Sequence, residues 1–403
     1  MNISVIPALR PRAIQRQGRF TLDVWLLGVV LFLLALGLVM VMSASVSLAE
    51  RQTGNPFYFL WRQSIFVAVG LALGYGILKI RLVYWERLGP YFLMLGIALL
   101  VVVLLVGREV NGSMRWLAFG PIHLQPSELI KLFVVVYLAG YLVRRGEEVR
   151  NTTKGFLKPM AVVGLVGVFL LLEPDFGATV VLTATVLGMM FLAGVRLWQF
   201  AALFAVMLAG MAALAISSPY RLERLTSFIN PWADPFNSGF QLTQALIAFG
   251  RGEWFGVGLG GSIQKLFYLP EAHTDFLFAV LAEELGLVGA ITVIILFSVL
   301  VWRAFLIGRS ALQSGSFFGA YLAYGIGLWI GLQSFINLGV NMGVLPTKGL
   351  TLPLMSYGGS SIVMSCMACA LLLRVSHEYP VEKQPAARRT SVNEKSGKGR
   401  RRA

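Results

Sequence analysis

The segment that leads from a long polar loop into an apolar run carries the residues best suited to proton transfer. It holds Asp275, with Glu271 and His273 within one turn and Glu283 and Glu284 two turns further on. A carboxylate in such surroundings is a candidate proton acceptor. The alternative is structural, because Thr274 or Asp275 can cap the helix predicted to start here, where the helix dipole favours an anion.

A second pair of ionisable residues lies inside an apolar stretch. Glu128 and Lys131 are three residues apart, which places them on one face of a helix whose first turn contains Pro126. Ionisable groups inside membrane segments are costly, and by default they mark function. Two interpretations remain open: a local ion pair that hides both charges, or a lysine that faces an interior cavity and holds an anion.

A third candidate is the short corner Glu173-Pro174-Asp175 between two apolar runs. Asp175 is predicted to cap the helix that follows it. A structural and a functional role for this corner are both compatible with the sequence.

Several familiar chemistries have no support in the sequence. It contains no G-x-x-x-x-G-K-[ST] motif, so ATP is not expected to drive the reaction. The glycines of 258–261 indicate a turn, since they do not link a strand to a helix. Ser262 and Lys265 match the S-x-x-K of penicillin-binding proteins, but no S-D-N or K-T-G motif follows. We treat that match as chance.

The elements that must position these residues are membrane helices. The mean hydropathy is +0.74, 57% of the residues are hydrophobic and 13% are charged, which is too apolar for a soluble domain. The apolar runs are about 20 residues long, enough to cross a hydrocarbon core. They lack the alternation of barrel strands, so the sequence predicts an all-α polytopic membrane protein.

We predict about ten transmembrane helices within a membrane domain of residues 22–375. The predicted spans are 23–45, 64–80, 88–107, 126–143, 157–173, 176–194, 198–217, 276–302, 316–340 and 354–373. Most of the 34 Lys and Arg residues then fall in segments on the same side as the amino terminus. Because positive charge stays inside, both termini are expected to be cytoplasmic, with a basic segment 1–21 and a basic, disordered tail 376–403.

One predicted outer loop, 218–275 between the seventh and eighth spans, is far longer than the others. Loops of this length are usually functional. Its stretch 238–249 has the pattern of a short amphipathic helix lying at the membrane interface. The aromatic residues along the loop are also typical of an interfacial belt.

The net charge of +15 does not indicate nucleic-acid binding, because much of it lies in the carboxy-terminal tail. Such a tail is typical of a solvated segment that favours anionic lipid, with partner docking as the alternative. Cys366 and Cys369, inside an apolar run, are expected to be small packing residues.

Taken together, these motifs strongly resemble the SEDS family of cell-wall polymerases (shape, elongation, division, sporulation). The resemblance extends through all ten predicted spans. Its segments are Arg115-Trp116, Gln125 to Lys131, Glu173 to Gly177, Leu269 to Phe276, and Ser356 to Ser361. Ala272 and the Thr347-Lys348 pair resemble the division-type branch of the family, since the elongation-type branch more often has Arg at the first position and lacks the pair.

The resemblance implies a peptidoglycan glycosyltransferase that polymerises lipid II, a disaccharide-pentapeptide on undecaprenyl diphosphate, during septal wall synthesis at the outer face of the cytoplasmic (inner) membrane. The family's essential aspartate matches Asp275, and its membrane-embedded lysine matches Lys131. The implied partners are a class B penicillin-binding protein transpeptidase and divisome subcomplex proteins.

This reaction needs one base, because a diphosphate leaves without a proton. Asp275 is the expected general base in an inverting attack. Fixed cations would stabilise the leaving group. The expected substrate-binding residues are Lys131, Glu128, Lys348, His273 and Arg115, with Arg221, Arg224 and Arg251 as further cations. A divalent cation is possible, although the sequence offers no convincing ligand cluster, and no other cofactor is expected.

Two rival functions use the same residues. A lipid II flippase would use Glu128, Lys131 and Asp275 as a polar relay, but flipping requires polar groups along the full membrane depth, and these gather toward the outer half. A non-enzymatic divisome scaffold would use the long loop for docking alone.

Overall fold

The computed structural model describes residues 22–381 except 111–112, 120–121, 197, 200, 203, 206–208, 211–227, 229, 238, 267 and 347–348. Its helices, numbered along the chain, are α1 Val24–Thr53, α2 Tyr58–Lys79, α3 Leu82–Val106, α4 Pro126–Asn151, α5 Thr153–Leu172, α6 Phe176–Leu192, α7 Phe240–Gly252, α8 Leu277–Gln313, α9 Phe317–Asn341 and α10 Gly359–Glu378. A short 3₁₀ turn covers Pro231–Ala233.

The predicted membrane architecture is confirmed in the described part of the chain. Eight of its helices are long and apolar enough to span a membrane, and α6, with 17 residues, is a shorter apolar helix. The predicted span 198–217 lies largely outside the described residues, as do segment 1–21 and the tail beyond residue 381. The predicted amphipathic helix of the long loop is present as α7, which buries Leu242, Ala245 and Ala248.

The connection between α3 and α4 forms a small sheet, which the helical prediction did not include. Its three antiparallel strands are β1 Arg108–Val110, β2 Ser113–Phe119 and β3 Ile122–Leu124, in the order β1-β2-β3. β1 and β3 have three residues each, too few for a recognisable alternation, and the seven-residue β2 ends in four consecutive apolar residues and does not alternate. The middle strand carries Arg115, so the sheet gives this predicted site residue a rigid support.

Helix α8 consists of two parts separated by Gly286, whose backbone is left-handed at φ 67° and ψ −165°. From Leu277 to Glu284 every residue is at most 2% exposed, whereas the part beyond Gly286 presents Leu287, Val288 and Ile291 on its surface. The second part alone rises about 40 Å, enough to span the bilayer. The first part is therefore an additional buried segment, and it begins directly after Asp275.

The long loop supplies hydrogen bonds that replace those lost at the interruption of α8 at Gly286. The amides of Val257 and Gly258 donate to the carbonyls of Glu283 and Glu284 at 3.0 and 3.1 Å. The amides of Leu287 and Val288, which would normally donate to those same two carbonyls, donate instead to Glu253 and Trp254 of the loop at 2.9 and 3.1 Å. An unpaired backbone N–H or C=O group in an apolar environment costs on the order of several kcal/mol. Because the loop pairs all four groups, the helix can be interrupted at Gly286 without this cost.

Two buried carboxylates fix the rest of the loop to the same helix. Glu283 accepts hydrogen bonds from the Ser262 hydroxyl and from the Ile263 amide at 3.0 Å. Glu284 accepts from the hydroxyl of Ser43 on α1 and from Lys265 Nζ, each at 2.7 Å. Ser262 and Lys265 therefore have structural partners, which agrees with treating their S-x-x-K spacing as chance.

Gly256 offers a test of this junction. A Cβ at this position would lie 2.1 Å from the Glu284 carbonyl oxygen, whereas a Cβ at Gly260 would meet nothing within 4 Å. Both residues have positive φ, of 77° and 83°. We expect Gly260→Ala to cost about 1 kcal/mol from backbone strain alone, and Gly256→Ala to cost at least about 2 kcal/mol more because the loop must separate from α8.

The measurement is thermal unfolding of the purified variants in one detergent. Equal melting temperatures for Gly256→Ala and Gly260→Ala would contradict the close pairing of loop and helix.

Candidate active site

Neither Thr274 nor Asp275 caps α8, so the capping alternative for this segment is wrong. The Thr274 hydroxyl donates to Glu271 Oε2 at 2.7 Å. The α8 amide of Ala279 is capped from another helix, by Asn341 Oδ1 at 3.1 Å. Among the described residues, no donor forms a hydrogen bond with either carboxylate oxygen of Asp275. The side chain is therefore available for another role.

The main chain at Asp275 is held by two amides of α9. The Nδ2 atoms of Asn337 and Asn341 both lie 2.9 Å from the Asp275 carbonyl oxygen. Asn337 also donates to the Leu350 carbonyl at 2.6 Å, and Gln333, one turn earlier, donates to the Thr351 carbonyl at 3.0 Å. These amides, spaced four residues apart on one buried face of α9, fix Asp275 and the 350–351 segment together.

Sequence reasoning missed this amide ladder, which we define as Gln333, Asn337 and Asn341. The signal was present, since three amides at intervals of four inside an apolar helix must share one face. Each is at most 2% exposed, and buried polar groups of this kind are expected to have partners.

Lys131 contacts the first rung of the ladder. Its ammonium group is 2.8 Å from Glu128 Oε1 and 2.7 Å from Gln333 Oε1, and it lies 5.3 Å from the ring centroid of Trp329. The local ion pair predicted as one alternative is therefore present, with Lys131 only 1% exposed. Lys131 is linked to Asp275 indirectly, through α9, and not by a contact that the described structure contains.

The carboxyl group of Asp275 has a raised pKa, of about 7. Burial is the largest cause, because it disfavours the charged form. The negative charges of Glu271 and Asp175 raise the pKa further, whereas the guanidinium of Arg115 lowers it. The fold thus brings these four charged groups into one electrostatic cluster, drawn from β2, the α5–α6 corner and the start of α8.

Arg115 is held in this cluster by hydrogen bonds to the corner Glu173-Pro174-Asp175. Its Nε donates to the Glu173 carbonyl at 3.0 Å, and its Nη2 donates to the Pro174 carbonyl. The Glu173 side chain is fully buried, and neither carboxylate oxygen has a partner among the described residues. Burial, with Asp175 adding to it and Arg115 opposing it, raises the pKa of Glu173 to about 8, so this side chain is neutral at pH 7.

Asp175 connects the corner to α4. Its Oδ1 accepts from the Ala178 amide at 3.1 Å, which confirms the predicted cap of α6. Its Oδ2 accepts from the Ser127 hydroxyl in the first turn of α4 at 2.8 Å. The corner therefore aligns the starts of α4 and α6 beside the cluster that contains Asp275.

His273 lies against aromatic rings and makes no hydrogen bond with these groups among the described contacts. The His273 ring packs 4.8 Å from the Phe59 ring and 5.5 Å from the Tyr357 ring. Its pKa is lowered by burial, with Glu271 acting in the opposite direction, so the ring is neutral at pH 7. Lys348 lies outside the described residues.

Of the further predicted cations, only Arg251 lies in the described part of the chain. Arg251 lies 3.4 Å from the Glu283 carboxylate, within the junction of loop and α8. Arg221 and Arg224 are outside the described ranges. Across the described part of the chain, no three His, Cys, Asp or Glu side chains form a group that could hold a metal ion.

Residues 24–380 match the cell cycle protein family that comprises FtsW, RodA and SpoVE. The chain belongs to this family. It is 65% identical over 358 residues to a probable peptidoglycan glycosyltransferase FtsW of Nitrosococcus halophilus, an alignment that covers 88% of this chain and 92% of the relative.

Two solved structures have the same fold. One comes from a study of how a peptidoglycan synthase complex coordinates polymerization and crosslinking, with TM-score 0.73, 29% identity and coverage of 89% of this chain and 99% of that one. The other is the rod shape determining protein RodA of Thermus thermophilus, with TM-score 0.66, 28% identity and coverage of 89% and 97%. The division-type resemblance of the sequence agrees with the name of the 65% identical relative.

Asn341→Ala tests the amide ladder. The substitution removes the cap on Ala279 and one hydrogen bond to the Asp275 carbonyl, so we expect a loss of about 2 kcal/mol in stability. Asn237→Ala is the matched control, because it removes an exposed amide whose partner is Asp234 at 3.0 Å, and it should cost under about 0.5 kcal/mol. Thermal unfolding measures both, and similar losses would show that the ladder does not hold α8.

Proposed function

We propose that this chain is a peptidoglycan glycosyltransferase that polymerises lipid II into glycan strands, with Asp275 as the general base. The observation that carries the proposal is the Asp275 carboxylate, which is fixed by its main chain, not used as a cap and shifted to a pKa of about 7. A base whose pKa lies near the working pH is the most effective. The name of the relative from Nitrosococcus halophilus supports the reaction class.

The proposed reaction requires a single proton transfer. Asp275 accepts the proton of the attacking sugar hydroxyl as its oxygen bonds to the anomeric carbon of a second lipid-linked unit. The bond from that carbon to the diphosphate breaks, and the diphosphate leaves as an anion. Attack from the opposite face inverts the anomeric centre, which turns an α-linked donor into a β-linked glycan.

In this proposal three cations, Arg115, Lys131 and Lys348, supply the positive charge that stabilises the diphosphate. Arg115 lies in the cluster with Asp275, where it also keeps the base partly ionised. The Lys131 ammonium uses two of its three N–H groups on Glu128 and Gln333, so the third can bind a phosphate oxygen. Lys348 is the proposed third cation. Glu128 orients Lys131 through their ion pair. His273, which is neutral and packs against aromatic rings, is proposed to line the substrate site next to Asp275.

The proposed setting is the cytoplasmic (inner) membrane at the division septum, with both termini in the cytoplasm. The ends of the helices opposite Asp275 carry Lys79, Arg81, Arg144, Arg145 and Arg303, as expected of an inner face. A class B penicillin-binding protein transpeptidase and divisome proteins are the proposed partners. The similarity to a structure from a study of coordinated polymerization and crosslinking supports the first of them.

Polymerisation is favoured over the two rivals, a lipid II flippase and a non-enzymatic scaffold, because the relatives are named as glycosyltransferases.

Two assays distinguish polymerisation from flipping. The purified chain, alone and with its transpeptidase, would be incubated with lipid II in one assay and with labelled lipid in vesicles in the other. Glycan polymer without lipid movement supports the proposal, whereas movement without polymer would favour the flippase.

Asp275→Asn tests the general base. Because a positioned base contributes about 10² to 10⁴ in rate, we expect polymer formation from lipid II to fall at least about 100-fold. The melting temperature should remain close to that of the unmodified chain, since the asparagine is isosteric. Glu50→Gln, which neutralises an exposed carboxylate at the outer end of α1, should retain activity. Full activity of Asp275→Asn would rule out this role.

The pH dependence of polymerisation tests the electrostatic cluster. Asp275 works as a base only when ionised, so activity should rise with pH through a midpoint near its pKa of about 7. Glu271→Gln removes a charge that raises this pKa and should move the midpoint to lower pH. Arg115→Gln removes a charge that lowers it and should move the midpoint to higher pH.

Glu50→Gln again serves as the control, because it removes one outer negative charge away from the cluster. Rate profiles measured at lipid II concentrations well below KM report the pKa of the free protein, which is the state that the structure describes. A Glu271→Gln midpoint that stays in place or moves upward would contradict the described arrangement.

A further inference from the structure

A cavity of about 520 Å³ lies at the end of the helix bundle opposite Asp275, between the last two turns of α4 and the first turn of α9. Its lining contains three arginines, Arg144, Arg145 and Arg150. The proposed polymerase reaction does not use this cavity. Three arginines and two glutamates line it, so positive charge is in excess, as an anion requires.

The shape of α4 brings these arginines together. Its backbone departs from helical geometry at Arg145, with φ −130° and ψ 20°. Arg145, at this departure, and Arg144, directly before it, are both exposed. Arg145 shares the Glu148 carboxylate, at 3.3 Å, with Lys158, whose ammonium is closer at 2.6 Å. Because Lys158 already neutralises Glu148, most of the positive charge of Arg145 remains available.

Arg150 is held in place before any ligand arrives. Its Nε donates to the Ala193 carbonyl at the end of α6 at 2.6 Å, and its Nη2 donates to the Tyr321 hydroxyl of α9 at 3.2 Å. A guanidinium has five N–H donors, so those not used here remain for a phosphate. The cavity therefore combines one pre-positioned cation with two on an exposed turn.

Besides the arginines and the two glutamates, Glu147 and Glu148, the lining includes apolar side chains. Val143 is 37% exposed and Phe317 is 51% exposed, and both line the cavity. Arginines next to exposed apolar side chains match an amphiphile, with an anionic head and hydrocarbon chains. The same end of the bundle carries Lys79 and Arg303, as expected of a cytoplasmic membrane surface.

We propose that this cavity binds the headgroup of an anionic phospholipid, with its acyl chains packed beside Val143 and Phe317. Basic pockets between helices on the cytoplasmic side are typical sites for anionic headgroups. The site does not depend on the identity of the reaction at the other end of the bundle.

The test uses the full chain, purified in a neutral detergent, with phosphatidylglycerol, phosphatidylcholine or inorganic phosphate added. Native mass spectrometry measures the fraction of protein that retains each lipid, and thermal unfolding measures stabilisation. We expect preferential retention of phosphatidylglycerol, and roughly tenfold weaker retention by the double variant Arg144→Gln, Arg145→Gln. The control is Arg81→Gln, Arg87→Gln, which removes two exposed arginines from the same face outside the cavity.

A variant expected to bind phosphatidylglycerol more strongly is also needed, because weaker binding by a variant can result from misfolding. Glu147 is exposed and lines the cavity, and its negative charge repels the headgroup, so Glu147→Gln should retain phosphatidylglycerol severalfold more strongly. Equal losses in the two double variants would overturn the proposal by showing diffuse attraction to the surface. Equal retention of phosphatidylcholine, or equal stabilisation by inorganic phosphate, would overturn it as well.

Discussion

Every backbone group inside a membrane protein must find a partner, and the interruption of α8 at Gly286 makes this requirement acute. Two carbonyls and two amides lose their helical partners there, and the loop at 253–258 supplies all four replacements. With those bonds in place, the part of α8 before Gly286 can lie wholly inside the protein. That buried segment is what brings Asp275 close to β2 and the α5–α6 corner.

The chemistry of the site follows from this burial. Water would hold an aspartate ionised near its ordinary pKa of about 4, whereas desolvation together with Glu271 and Asp175 raises the pKa of Asp275 to about 7. Arg115 limits the shift. Glu173, which lies beside Arg115 with no partner for its carboxyl group in the described structure, goes further and is neutral. The charge of Arg115 thus acts on two buried carboxyl groups, Glu173, which is neutral at pH 7, and Asp275, which is partly ionised.

The sequence identifies charged residues that are unusual in apolar segments, but it does not identify the residues that they contact in the fold. Asp275, Glu128 and Lys131 were recognisable because charge is rare in apolar segments, and the helices were recognisable because their length matches a bilayer. Asn341 could not be assigned as the cap of α8, because cap and helix are 62 residues apart in the chain. The three-stranded sheet was missed because two of its strands have three residues each and the seven-residue middle strand does not alternate apolar with polar residues. Gly286 was missed because a lone glycine in a helix is common.

The backbone pairing of loop and helix also determines how the protein opens. Residues 253–258 and 283–288 share the same hydrogen bonds, so neither can detach while the other keeps its partners. The two stretches therefore unfold as one cooperative unit, and their amide hydrogens share one free energy of opening for exchange with solvent, although about 25 residues of chain separate them. Ser43 extends this unit to α1 through Glu284, so the first helix shares in its stability.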